Sequence, residues 1–471
     1  MPTFAQNAEL LKQFFLLLDA HRPTYNQQRV YERARALALA ELFTFGKHTV
    51  TQQLVALGLN DADWSAWYRL FSEERFDAAA SRSILLGETL QHVGPDELYV
   101  VAGDGTQTPR SSSKMEGAGW QRNPRTPPFK IGIHRAQRWF NGSWLLPAEN
   151  GYSRALPLYW VPAFTEKSPR QVYGPRKEWE AAVDFLTWLR QEFVAAGRPD
   201  QPLLMVADGG YDTVPLWEHL PDGVILMVRS AKNRALYHLP GPPSGHGRPR
   251  KYGERAPNPQ AIWRQRHGWR RMVLHVRGLD RHLQVKVEGP FIRRGAADRP
   301  LFLIVVRGKS HRRDGKMIRR QPLPFLVNAV QNADGEWELP LPLETLLFWM
   351  WQRWEIEVAH REMKTTFGLG NKQCSNPHAA VASVQWSAWV YGLLLLAGYR
   401  TQGLTGGAAV PTRWWRGSGR WSLPTLWRDF RAALWGSYDF WALWATTTGN
   451  WYEKEAFLRA LTNAAYGAAR T

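Results

Sequence analysis

Cysteine is almost missing: Cys374 stands alone among 471 residues. A single thiol excludes an intrachain disulfide and any zinc site built on cysteine pairs, and it suits a reducing compartment such as the cytosol. The 13 histidines are scattered, without the paired spacing of a zinc site. The opening MPTFAQNAELLKQFFLLLDAHRP lacks a basic start and has only a short apolar run, so no signal peptide is expected there. Long uncharged apolar runs are scarce as well. The one candidate, 379–399 (AAVASVQWSAWVYGLLLLAGY), carries Gln385 and two serines within a basic chain, and it reads as a buried helix rather than a membrane span.

Acidic residues are nearly absent from one long stretch. Residues 229–320 hold 24 Lys and Arg against 5 Asp and Glu, while the rest of the chain has 36 of each sign. The whole net charge of +19 therefore lies in 92 residues. A charge run is ordinarily a solvated face, but one that carries the entire net charge points to a polyanion, with nucleic acid foremost. Within it, Lys232, Arg234, Arg248, Arg250 and Lys251 are candidates for contacts to a phosphate backbone.

The hydrophobic period divides the chain. Residues 1–92 read as helices, and TVTQQLVALGLNDADWSAWYRLF (49–71) is compatible with a helix-turn-helix, with a turn at Gly58 and an Asn60/Asp61 cap. From about 93 to 230 the pattern is three strands, a helix (178–197), a strand, a short helix and a strand, with uninterrupted apolar runs that suit a sheet covered on both faces. The basic stretch, 231–340, begins with a Pro/Gly/Arg-rich loop and continues as strands such as RMVLHVRG, HLQVKVEG and PLFLIVVRGK. Helices return over 341–400, and 401–471 is a Trp-rich helical tail.

Two of the apolar strands are expected to end at an aspartate followed by glycine, Asp104 in LYVVAGDGTQ and Asp208 in PLLMVADGGYD. Glycine allows a sharp turn and a close approach of backbone to a ligand, and strand ends are where α/β sheets bind ligands. If the strands are neighbours, the two carboxylates share a cleft. A third acid on a helix beside them would complete an oxygen cage suited to Mg²⁺ or Mn²⁺. RWEIEVAHREMK (353–364) supplies the candidate: Arg353, Glu357, His360 and Lys364 stack on one helical face, with Trp354, Ile356 and Val358 expected to pin the helix to the sheet. Nearby acids fit less well. Glu355 and Glu362 point off that face, and Asp212 suits an N-cap of the next helix.

On these residues the chain resembles the DDE transposases of bacterial insertion sequences, in the subclass with a Tyr-x2-Arg-x3-Glu-x6-Lys signature. Arg353, Glu357 and Lys364 match three of its four positions, and Met350 stands at the tyrosine. The resemblance implies an α/β fold: a ribonuclease H-like mixed sheet flanked by helices, with a β-rich insertion and a helical N-terminal domain. The 149 residues from Asp208 to Glu357 leave room for that insertion. It implies Asp104, Asp208 and Glu357 as catalytic metal ligands for two Mg²⁺ ions, replaceable by Mn²⁺, and Arg353 and Lys364 near the phosphates of a transposon end. His360, on the same helical face, is a candidate for DNA contact or for a supporting position behind the metal ligands, with ordinary packing as the alternative. The resemblance also implies double-stranded DNA, transposon ends and target, as partner, a homodimer on DNA, and a cytoplasmic, nucleoid-associated location. A Trp of the insertion stacks on a flipped base in this subclass, which makes Trp263 and Trp269 candidates. A ribonuclease H-like nuclease that cuts without joining, and a DNA-binding protein with a dead centre, are the alternatives; the presence of all three acids speaks against the last.

Overall fold

The computed structural model describes residues 4–123, 126, 132–242, 249–307, 311–313, 316–318, 321–406 and 421–436. Helices come first: α1 (Phe4–Ala20), α2 (Gln28–Phe43), α3 (Val50–Ala56), α4 (Ser65–Ser72) and α5 (Ala78–Leu90). α2 is rich in strong helix formers, ARALALAEL, and α5 is capped by Asp77, whose side chain accepts the Ala79 and Ala80 N–H groups. α3 and α4 are not the expected compact motif. Residues 57–64 separate them, longer than the three or four residues of a helix-turn-helix turn. α4 also begins after Trp64 rather than under an Asn60/Asp61 cap.

Next come β1 (Tyr99–Pro109), β2 (Gly119–Arg122), β3 (Ile133–Leu145), β4 (Ala155–Pro162), α6 (Glu178–Ala195), β5 (Leu203–Ala207), α7 (Val214–Glu218) and β6 (Val224–Arg229). Further along lie β7 (Tyr237–His238), α8 (Pro259–Arg264), β8 (Arg270–Val276), β9 (Leu279–Arg293), β10 (Ala296–Arg307), β11 (His311–Arg313), β12 (Lys316–Ile318), β13 (Leu323–Asn328), β14 (Val330–Gln331) and β15 (Trp337–Glu338). The chain closes, among the described residues, with α9 (Leu343–Gln352), α10 (Trp354–Thr365), α11 (Pro377–Gln402) and α12 (Leu423–Gly436).

β4, β3 and β1 pair antiparallel, and β1, β5 and β6 pair parallel. Three antiparallel strands followed by two parallel ones, with helices on both faces, is the ribonuclease H-like arrangement. β5 reads LLMVA and is buried at every position, as a central parallel strand requires. Most of the basic region's strands join the core sheet, while β11 with β12 and β14 with β15 form two small two-stranded sheets. Strand β13 pairs with β6, and β10 and β9 follow, so one 11-stranded sheet runs from β2 to β7.

Strand parity separates the two faces. Gly142 of β3 lies under α6, where a Cβ would come 2.3 Å from the Phe185 ring. The alternate residues Asp104, Asn141 and Trp160, paired across β1, β3 and β4, share the opposite face, which α10 covers. α11 is the one described helix long and apolar enough to cross a membrane, and 83% of its apolar window is buried inside the fold.

Candidate active site

The parallel register places Gly103 beside Ala207, so Asp104 and Asp208 follow one another's level on adjacent strands. Asp208 stands just beyond β5 and caps a short 3₁₀ turn, its Oδ1 accepting the Gly210 N–H at 2.8 Å. Asp104 is different. The strand does not end there: β1 continues to Pro109, paired with β3 through Gly105 and Phe140. Gly105 is extended and makes no turn. It makes room, since a Cβ there would lie 2.3 Å from the Glu178 carboxylate, which is itself paired with Arg138 at 2.5 Å.

α9 and α10 meet at Arg353, which keeps helical dihedrals (φ −47°, ψ −33°), while the Ile356 N–H bonds three residues back to the Arg353 carbonyl. The residues buried from α10 include Ile356, Ala359, His360 and Met363, spaced as one helical face. Trp354 is not among them; it is 48% exposed, so Ile356 and its neighbours hold the helix without it. Met350 is buried in the core.

Glu357 lies in the first turn of α10, and its Oε1 accepts from Arg353 Nη2 at 2.7 Å. Lys364, in the last turn, donates from Nζ to Thr106 Oγ1 on β1, two residues beyond Asp104. His360, a candidate for DNA contact or for a supporting position behind the metal ligands, is 7% exposed and covered by protein. Its Nε2 lies 3.0 Å from Asn141 Nδ2, its Nδ1 3.7 Å from Asp104 Oδ2, and its ring edge-on to Trp160. Neither Asn141 nor Trp160 stands out in the sequence, although a polar residue inside the apolar run WFNGSWLL is a usable signal.

The electrostatics join the three acids. Burial, then the charge of Asp208, lifts the Asp104 carboxyl from 3.8 to about 7; Arg353 opposes the rise and Glu357 adds to it. Burial, with Lys364 adding to it, pushes His360 down to about 3, so its ring is neutral. Oxygen donors around a surplus of negative charge are the donor type that Mg²⁺ and Mn²⁺ take. They are not clustered in advance: among the described residues no three His, Cys, Asp or Glu side chains stand close enough to form a metal-binding group. Glu357 is turned to Arg353 and Asp208 to Gly210.

The other acids have internal partners. Glu355 binds Arg277 at 2.8 Å, and Glu362 binds Arg154 at 2.6 Å and the Tyr391 hydroxyl at 2.7 Å. Asp212 does not N-cap α7, since Thr213 occupies that position. Buried instead, Asp212 accepts from Arg234 at 2.6 Å and Arg293 at 2.5 Å, which engages Arg234 inside the fold. Arg250 and Lys251 are exposed, and so is Lys232, whose Nζ reaches Gln321 at 3.2 Å; Arg248 lies outside the described residues. Trp263 and Trp269 both meet Arg307, whose guanidinium sits 5.8 and 4.0 Å from their ring centroids.

The chain belongs to the DDE superfamily of endonucleases. The family described as DDE superfamily endonuclease matches residues 23–282, more than half the chain. A transposase DDE domain matches 176–393. The first span contains Asp104 and Asp208 and the second Asp208 and Glu357, so the two together cover all three acids. No individually curated protein matches the chain.

Proposed function

We propose that this protein is a DNA transposase, of the insertion-sequence subclass marked by Arg353, Glu357 and Lys364, that cleaves DNA at transposon ends and joins the freed ends to target DNA. The observation that supports it most is the register of β1 and β5, which sets two carboxylates side by side under the helix that bears a third. Asp104, Asp208 and Glu357 would hold two Mg²⁺ ions. Such ions, when bound, polarise the scissile phosphate and activate water or a 3′-hydroxyl as the attacking oxygen.

The chain's own groups then have distinct tasks. Arg353 and Lys364 hold phosphates at the mouth of the site, the first as a planar fork and the second as a point charge. The exposed cations Lys232, Arg250 and Lys251 follow the backbone of the duplex. In this reading residues 1–92 form a helical DNA-binding unit, 93–230 and 341–400 the catalytic core, 231–340 the basic insertion and 401–471 a tail. Two ends have to be brought together, which calls for a dimer on DNA.

Asp104→Ala, Asp208→Ala and Glu357→Ala are each expected to lower Mg²⁺-dependent cleavage of a duplex carrying the transposon end by about 10³-fold or more, with duplex binding retained. Normal cutting by Glu357→Ala would remove that residue from the site. Terminal inverted repeats and target duplications beside the gene would favour joining over simple cutting.

A further inference from the structure

Asp104, Asn141 and Trp160 are direct neighbours across three strands, and the His360 ring lies over them. His360 is buried, with protein on the sides of the ring that carry its nitrogens. Its two nitrogens face two different groups, Asn141 Nδ2 at 3.0 Å and Asp104 Oδ2 at 3.7 Å. The Asn141 contact decides the tautomer: an amide nitrogen only donates, so Nε2 accepts and the ring proton sits on Nδ1, on the side that faces Asp104 Oδ2. The edge-on Trp160 ring, 5.6 Å away between centroids, limits rotation of the imidazole.

We infer that His360 is a positioning residue: anchored by Asn141 and Trp160, it orients the Asp104 carboxylate toward the metal side of the cleft. The inference rests on the metal-site reading above. The ring, fixed on its other side by Asn141 and Trp160, faces Oδ2 and so restricts how the Asp104 carboxylate can turn. Carboxylate ligands elsewhere are commonly oriented by such outer partners, whose loss weakens metal affinity by about 10–100-fold.

The test is Mn²⁺ binding by the full chain, followed by electron paramagnetic resonance, with thermal unfolding recorded in parallel. His360→Leu should weaken Mn²⁺ binding by about 10–100-fold, while metal-free unfolding stays near that of the parent. His360→Gln, which keeps a side-chain N–H donor, should recover most of the affinity. Should His360→Leu fail to fold, Asn141→Ala removes the amide that fixes the ring and must show the same loss. Unchanged Mn²⁺ affinity in a folded His360→Leu protein would overturn the inference and leave the metal site standing. Unchanged affinity in Asp104→Ala would instead overturn the metal site itself, and the inference with it.

Discussion

At neutral pH the Asp104 carboxyl is midway through its titration, because burial and Asp208 hold it near 7. The fold thus favours its protonated form. That contribution to stability is complete below the ordinary carboxylate value of 3.8 and is lost as pH rises through about 7. Metal-free Asp104→Asn protein should therefore be more stable than the parent at pH 8, by roughly 2–4 kcal/mol, and equal to it near pH 4. Urea unfolding at both pH values checks this. A divalent cation at pH 8 should close the gap, since it binds only the parent's carboxylate and stabilises the state it binds. Asp104 and Asp208 were legible because each follows an apolar run. The partners of Asp104 were not: Asn141 and His360 reach it through cross-strand register and helix docking, which are set 37 and 256 residues away along the chain.

The helix over the site is held by a second set of charges. Glu362, on the buried side of α10, joins Arg154 ahead of β4 and Tyr391 of α11. Removing one member of a buried pair leaves the other charged and desolvated. Arg154→Met should destabilise the protein by about 3–5 kcal/mol, read as a lower denaturant midpoint, with Glu362→Gln/Arg154→Met recovering part of the loss. Helices and strands of the core were readable from their periods, as β5 and α6 show. Boundaries decided by packing were not. The break at Arg353 and the exposure of Trp354 depend on how α10 meets β1 and β4, and the span between α3 and α4 hid a longer connection behind ordinary turn residues.

For the whole molecule, the charge map was plain in the sequence and the sheet was not. Short β13, LPFLVN, links the basic region to the core by pairing with β6, a long-range register that no local pattern encodes. If the duplex lies along the basic region, neutralising Lys232, Arg250 and Lys251 together should reduce the slope of log affinity against log salt by about 2–3, equally for all sequences. An unchanged slope would put the DNA on another face. The shared ladder between β6 and β13 has a further effect on anyone trimming this protein. Cutting out the chain between β6 and α9, β13 included, would expose the flank of β6, a largely buried strand rich in β-branched residues, with open N–H and C=O groups. Such an edge pairs with its own copies, so a shortened version is expected to precipitate rather than survive as a minimal nuclease.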